Sequence, residues 1–222
     1  MKLKNMSEVK PILAIETSGA SGSVALYYSD DKYFEAVIKD KRAHSEKLLI
    51  SVDEVLNSAG IKIKDVKAIA VSAGPGSFTG LRIGMSAAKG LAFGADLPII
   101  PVPTFEAIAL KISSELERED EFIIANKVNS DEIYYAKFQI KDNSYIFVDE
   151  LQILKLADIG NKNAANMYGN VFADSDGNMS VPGAVYIAKW AVSYGNSLLT
   201  KDYDYTEPNY LKNFIVKVKR ND

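Results

Sequence analysis

Within its first forty residues the chain reverses direction twice without leaving extended backbone. Residues 12–18 are a short, mostly apolar run, and a turn rich in glycine and serine follows at Gly19, Ser21, Gly22 and Ser23. Residues 24–28 are apolar again, Ser29-Asp30-Asp31 makes a second turn, and residues 33–38 resume the extended pattern. Short apolar runs bounded by turn formers read as three strands joined by two hairpins. From His44 the period changes. Leu48, Leu49, Val52, Val55, Leu56 and Ala59 fall on one face of a helix that Gly60 ends.

A strand over residues 66–71, a loop over 72–80, a helix over about 79–94 and a strand over 98–102, closed by Pro103, complete the first half. The order βββαβαβ, a meander followed by helix-linked parallel strands, is that of a ribonuclease-H-like lobe. The second half reads as a helix over 105–116, strands over 122–128, 132–140 and 145–148, an aperiodic stretch over 158–182, and a helix over 184–199. The expected division is one lobe over residues 1–103 and a shorter one over 104–222. The charge run at 115–121 reads as a solvated loop. The basic residues Lys212, Lys217, Lys219 and Arg220 read as a solvated tail, with phosphate contact the alternative.

Composition removes several function classes. The 26 basic residues against 29 acidic ones give a net charge of −3, so any contact with RNA has to be local or supplied through a partner. With no cysteine there is no disulfide scaffold, thiolate metal site or cysteine nucleophile. No apolar run approaches the ~18 residues of a membrane helix, and Glu16 cuts the apolar N-terminal stretch short. The chain therefore reads as cytoplasmic, unprocessed and free of any membrane.

The most unusual segment is Ser72-Ala-Gly-Pro-Gly-Ser-Phe-Thr-Gly-Leu-Arg82, with Gly74, Pro75, Gly76, Ser77, Phe78 and Thr79 forming the loop. A glycine-rich loop entering a helix can hold an anion on free N–H groups. Its spacing matches neither nucleotide signature: Lys-Ser/Thr is missing after Gly80, and Thr79 stands where a third glycine would be. A strand-to-helix turn capped by Ser77 or Thr79 is the other reading. In the following helix Gly80, Gly84 and Ala88 stand four apart on one face. Interior glycine costs about 1 kcal/mol relative to alanine, so another backbone must approach there, either this chain's own sheet or a second protein's helix. His44, the only histidine, opens the first helix. Lys47 and Leu48 occupy the positions where a second metal ligand would be needed, so no metal site is expected. The Glu16, Thr17, Ser18 turn is similar to the phosphate hairpin of the actin, sugar-kinase and Hsp70 fold. The matching segment of the other lobe, residues 129–132, has no glycine, and the chain has no Gly-Gly pair.

Taken together, Ile12-Leu-Ala-Ile-Glu-Thr-Ser18, Arg42-Ala-His-Ser-Glu46, Gly74-Pro-Gly-Ser-Phe-Thr-Gly-Leu-Arg-Ile-Gly84, Ala88-Lys-Gly-Leu-Ala92, Glu132-Ile-Tyr-Tyr-Ala136 and Tyr210-Leu-Lys closely resemble the TsaB (YeaZ) family. The resemblance implies an α/β, actin/Hsp70-like two-lobed fold with a shortened second lobe. It implies a non-catalytic subunit without a cofactor that pairs with TsaD in forming N6-threonylcarbamoyladenosine at position 37 of tRNA. It also implies TsaE as a further partner, tRNA contact only within the complex, and a homodimer when the chain is alone. An autonomous ATPase or metallopeptidase of the same fold is the alternative. Carried onto this sequence, the partner surface would comprise His44, Ser45, Leu48, Gly80, Arg82, Gly84, Ala87 and Ala88. Glu16, Thr17 and Ser18 would be a vestigial phosphate hairpin. Many members have Asp where this chain has Glu16, and Arg where it has Lys212.

Overall fold

The computed structural model describes residues 10–40, 44–116, 120–142, 144–161, 166–172 and 179–211. Strands β1 (Ile12–Glu16), β2 (Gly22–Ser29) and β3 (Lys32–Ile38) form the meander, and α1 (His44–Ser58) crosses to β4 (Ala68–Gly74). Helix α2 (Phe78–Ala95) then leads to β5 (Ile99–Pro103). The sheet order is β3-β2-β1-β4-β5, with β1 antiparallel to β2 and parallel to β4, and β4 parallel to β5. This is the topology the periodicity predicted.

Every residue of β1 and β4 is buried because both sheet faces are covered. Alternate side chains sort to opposite sides. Leu13, Ile15, Ile69 and Val71 pack with Leu48, Val52 and Val55 of α1 and with Met85 and Ala88 of α2. Ile12, Ala14, Ala68 and Ala70 face the other way. They meet Ala107 of α3 (Thr104–Glu115) and Ile187, Ala188, Trp190 and Ala191 of α4 (Ala184–Tyr194). Thus α4 follows the second sheet in the chain yet packs on the first. Its first turn is held by β2 and β3: Ser23 Oγ accepts from Ala184 N at 2.8 Å, and the Glu35 carboxylate accepts from Ser23 and from the N–H groups of Val185 and Ala184.

The second sheet contains β6 (Glu121–Lys127), β7 (Glu132–Lys141), β8 (Ser144–Lys155) and β9 (Asn166–Tyr168) in the order β8-β7-β6-β9. Phe105, Ile108 and Ile112 of α3 cover it, against Phe122, Ile124 and Phe138. Three details differ from the expected elements. β8 runs seven residues past the apolar run at 145–148, since Asp149 and Glu150 hide the alternation while Leu151 and Ile153 still pack inward. β9 lies in the stretch that showed no periodicity, because three residues are too few to carry one. The last helix ends at Tyr194 and continues only as a 3₁₀ turn (Gly195–Leu198). Of the expected solvated loop at 115–121, residues 117–119 lie outside the described residues, while Glu121 enters β6 and pairs with Lys137. The basic tail from Lys212 onward also lies outside them.

Candidate functional site

The turn after β1 and the loop after β4 form one unit. Ser77 N donates to Ser18 O at 2.7 Å, so the two backbones touch. A Cβ on Gly76 would stand 2.7 Å from the Ser18 Cβ, and one on Gly80 would stand 2.0 Å from the Thr17 carbonyl oxygen. One on Gly84 would lie 2.3 Å from Thr17 Oγ1, the hydroxyl that donates to Gly80 O at 2.8 Å. Between the two readings left open by sequence, the approaching backbone is therefore the chain's own. Of the expected partner surface, Gly80, Gly84 and Ala88 face the chain's own sheet, while Leu48, 1% exposed, packs in the core and also lines the floor between α1 and α2. Of that set, Ser45 and Arg82 are exposed and Ala87 is half-buried, while His44 is placed only as the first residue of α1. Ser77, not Thr79, caps α2 by accepting from Gly80 N.

Glu16, at the end of β1, is 1% exposed. Its Oε1 accepts from both the backbone N–H and the hydroxyl of Ser18 at 2.5 Å. Its Oε2 has no hydrogen-bond partner among the described residues. Burial raises its carboxyl to about 7, against the opposing pull of the Ser18 hydrogen bonds. At neutral pH this group is poised between its acid and its anion.

The cleft between the sheets, about 360 Å³, is lined by Ser18, Gly19 and Ala20 of the first hairpin, the Pro75–Phe78 loop, and residues 126–128 and 180–181. The Val181 Cγ1 lies only 1.9 Å from where a Cβ on Gly19 would be, so valine sits on the hairpin tip. In the 129–132 hairpin, which lines a separate pocket with Lys155 and Leu156, Asn129 Oδ1 accepts from the N–H groups of Asp131 and Glu132 at 2.8 and 2.9 Å. Those are donors a phosphate would need. Neither Val181 nor the Asn129 cap was singled out from sequence. Asn129 carried a usable signal, since Asn commonly bonds its own backbone two residues on; Val181 carried none. Among the described residues no group of three or more His, Cys, Asp or Glu could hold a metal ion.

On the outer side, α1 and α2 leave an apolar groove of about 480 Å³ lined by Ser45, Leu49, Phe78, Arg82, Ile83 and Ala87. Leu49 is 54% and Ile50 58% exposed. At one end, Arg82 lies 4.8 Å above the Phe78 ring, whose centroid is 5.1 Å from that of Tyr210. A C-terminal strap holds Tyr210 there. Tyr203 Oη donates to Leu97 O at 2.7 Å, and Asn209 N donates to Ala73 O at 2.6 Å.

Two mixed sheets, with helix-linked parallel strands in the first and the Ser18–Ala20 turn opening on the cleft, define a two-lobed protein of the actin/Hsp70-like class. The solved YeaZ from Pseudomonas aeruginosa has the same fold, with a TM-score of 0.72 at 22% identity over 90% of this chain and 99% of that one. A family model described as TsaD, tRNA N6-adenosine threonylcarbamoyltransferase, matches residues 35–171. The tRNA threonylcarbamoyladenosine biosynthesis protein TsaB of Escherichia coli is 32% identical over 71% of this chain and 68% of its own length. That of Haemophilus influenzae is 38% identical over 57% of this chain. The match spans about half the length of the Haemophilus protein, 52%. The chain belongs to the TsaB (YeaZ) family.

Proposed function

We propose that this chain is a non-catalytic, cytoplasmic subunit that pairs with TsaD in transferring a threonylcarbamoyl group to adenosine 37 of tRNA. Pairing would run through the outer face of α1 and α2, with TsaE joining the pair and tRNA meeting the chain only in the complex. The observation that carries this reading is the apolar groove beside Leu49, Ile50 and Ile83, on the two helices where the family resemblance puts the partner surface. Val181 packed on Gly19 of the first hairpin and Asn129 bonded to the N–H groups of Asp131 and Glu132 in the second support the non-catalytic part, because the chain's own side chains take up both hairpin tips.

The contact residues are redrawn by burial. Ser45, Leu48, Arg82 and Ala87 stay on the groove, Leu49 and Ile83 join them, and Gly80, Gly84 and Ala88 drop out. The same groove would close a homodimer when TsaD is absent. The test is reconstitution with TsaD and TsaE of the same organism, using Leu49→Asp and Ala87→Trp. Both residues lie on the groove, so folding should survive while TsaD binding weakens at least tenfold and tRNA modification falls with it. A Trp or Arg at the centre of such a contact commonly carries more than 1 kcal/mol; Arg82→Ala is expected to follow the same direction. Full modification by TsaD without this chain, or ATP turnover by the chain alone, would overturn the reading.

A further inference from the structure

The first sheet carries a further cavity, about 360 Å³, on the face away from the α1–α2 groove. The strand register builds it. Glu16 pairs with Ser23 and Ser23 with Val37, while Ala25 pairs with Glu35 and Tyr27 with Tyr33. Alternation puts these side chains on the face that Ala14 and Ala25 share with α4. Helix α4 supplies the opposite wall with Val185, Tyr186 and Lys189, and α3 adds Lys111. Val181 is the wall this cavity shares with the cleft between the sheets. It opens at the β3 edge, where Val37 is 60% and Tyr33 46% exposed.

The charges inside pair off with one exception. Asp30 takes Lys189 at 3.2 Å and accepts from the Tyr27 hydroxyl. Glu35 is fastened to Ser23 and to the first turn of α4, and the charge of Lys111 favours its anion. Glu16 has no such partner. Ser18 holds Oε1, Oε2 is unpaired among the described residues, and hydrogen bonds, not a cation, oppose the cost of its burial. Three acids and two lysines line the cavity, so one negative charge is left over, and it falls to Glu16. We propose that this cavity binds a small aliphatic primary amine, its ammonium group on the unpaired oxygen of Glu16 and its carbon chain against Val37, Val185 and the Tyr33 and Tyr186 rings. Such a group brings the two things the site lacks, a single positive charge and N–H donors, and a buried carboxylate persists only when paired and hydrogen-bonded. Because Glu16 is 1% exposed, only a slim head reaches it, which favours a primary over a quaternary ammonium. A divalent metal ion needs several free oxygens, and those of Asp30 and Glu35 are engaged. An anion would have to draw Lys189 from Asp30 and Lys111 from Glu35.

NMR of the full chain gives the test. Propylammonium chloride, added at fixed ionic strength, should shift the amides of Gly22, Val37 and Val185 saturably. Because an ammonium favours the carboxylate form, the titration midpoint of the Glu16 carboxyl carbon should fall by about 1–3 units at saturation. With the free group at about 7, linked protonation should weaken binding about tenfold from pH 8 to pH 6. Glu35 is also raised by burial, so the assignment is read at the Glu16 carbon itself. Tetramethylammonium carries the charge without N–H donors and should give no saturable shift. Glu16→Gln should abolish the response to propylammonium and keep the rest of the amide spectrum. An absent or unsaturable response, an unmoved Glu16 midpoint, an equal response to tetramethylammonium, or undiminished binding by Glu16→Gln would each overturn the proposal. Saturable shifts with sodium acetate in place of the amine would assign the cavity to an anion and overturn it as well. Should the variant fail to fold, the carboxyl midpoint in the natural chain decides alone.

Discussion

At the scale of single residues, Glu16 and Gly84 make opposite demands on the same turn. Glu16 keeps a carboxyl in a place that disfavours its charge, and its folded value of about 7 lies above the unfolded 4.5. Between those values the folded chain holds more protons than the unfolded one, so stability falls as pH rises through the window. The charged form should cost about 3 kcal/mol above pH 7. Glu16→Gln keeps an acceptor for Ser18 and cannot ionise. Urea midpoints measured from pH 5 to 8 should slope downward for the natural chain and lie nearly flat for this variant. Gly84 is a matter of space. Gly84→Leu places a side chain into Thr17 Oγ1 and breaks the approach of α2 to β1. A loss of about 2–3 kcal/mol is expected, read as a lowered melting temperature, with any loss of TsaD binding following from the fold. Gly90, with nothing near its Cβ, is the control: Gly90→Ala should stabilise α2 by about 0.5–1 kcal/mol.

At the scale of elements, the first sheet was legible because each of its signals is local. Turn residues set the hairpins, a change of period set α1, and Gly60, with its φ of +69°, ended it. The side on which α2 buries its small residues was not legible. Gly80, Gly84 and Ala88 have the same spacing whether they face a sheet or a partner. Only the location of Thr17 decides, and Thr17 is 63 residues away from Gly80 in the chain. The sequence singled out the Glu16–Ser18 turn and the Gly74–Gly84 loop as separate segments, and nothing local in it says that the two touch through Ser18 and Ser77. In the second sheet β8 was half seen, since its acidic residues interrupt the apolar pattern used to find it. Its first residues have a further task. Tyr145 Oη donates to Glu106 Oε2 at 2.7 Å and accepts from Trp190 Nε1 at 2.8 Å, joining β8 to α3 and α4. Tyr145→Phe removes both bonds and leaves Glu106 and Trp190 only each other as partner. A cost of about 1–3 kcal/mol is expected, measurable by denaturant titration.

At the scale of the whole molecule, the order of the chain and the order of packing part company at α4. A fragment of residues 1–103 would hold all five strands of the first sheet and leave Ile12, Ala14, Ala68 and Ala70 without the cover of Ile187, Ala188 and Ala191. Such a fragment is expected to aggregate or stay unfolded when expressed alone, and to be rescued only by co-expression of the remainder; amide dispersion in its NMR spectrum is the measurement. Residues 179–183 then acquire a meaning beyond connection. Ser180 O accepts from Asn126 on the second sheet, Val181 presses on Gly19 of the first, and Ser23 and Glu35 fasten the start of α4. Machines of this architecture that work by opening and shutting need a loose pivot between their halves. Here the pivot is stitched on both sides, so the molecule should move as one solid body, and whatever it contributes to an assembly would come from its shape and not from a stroke.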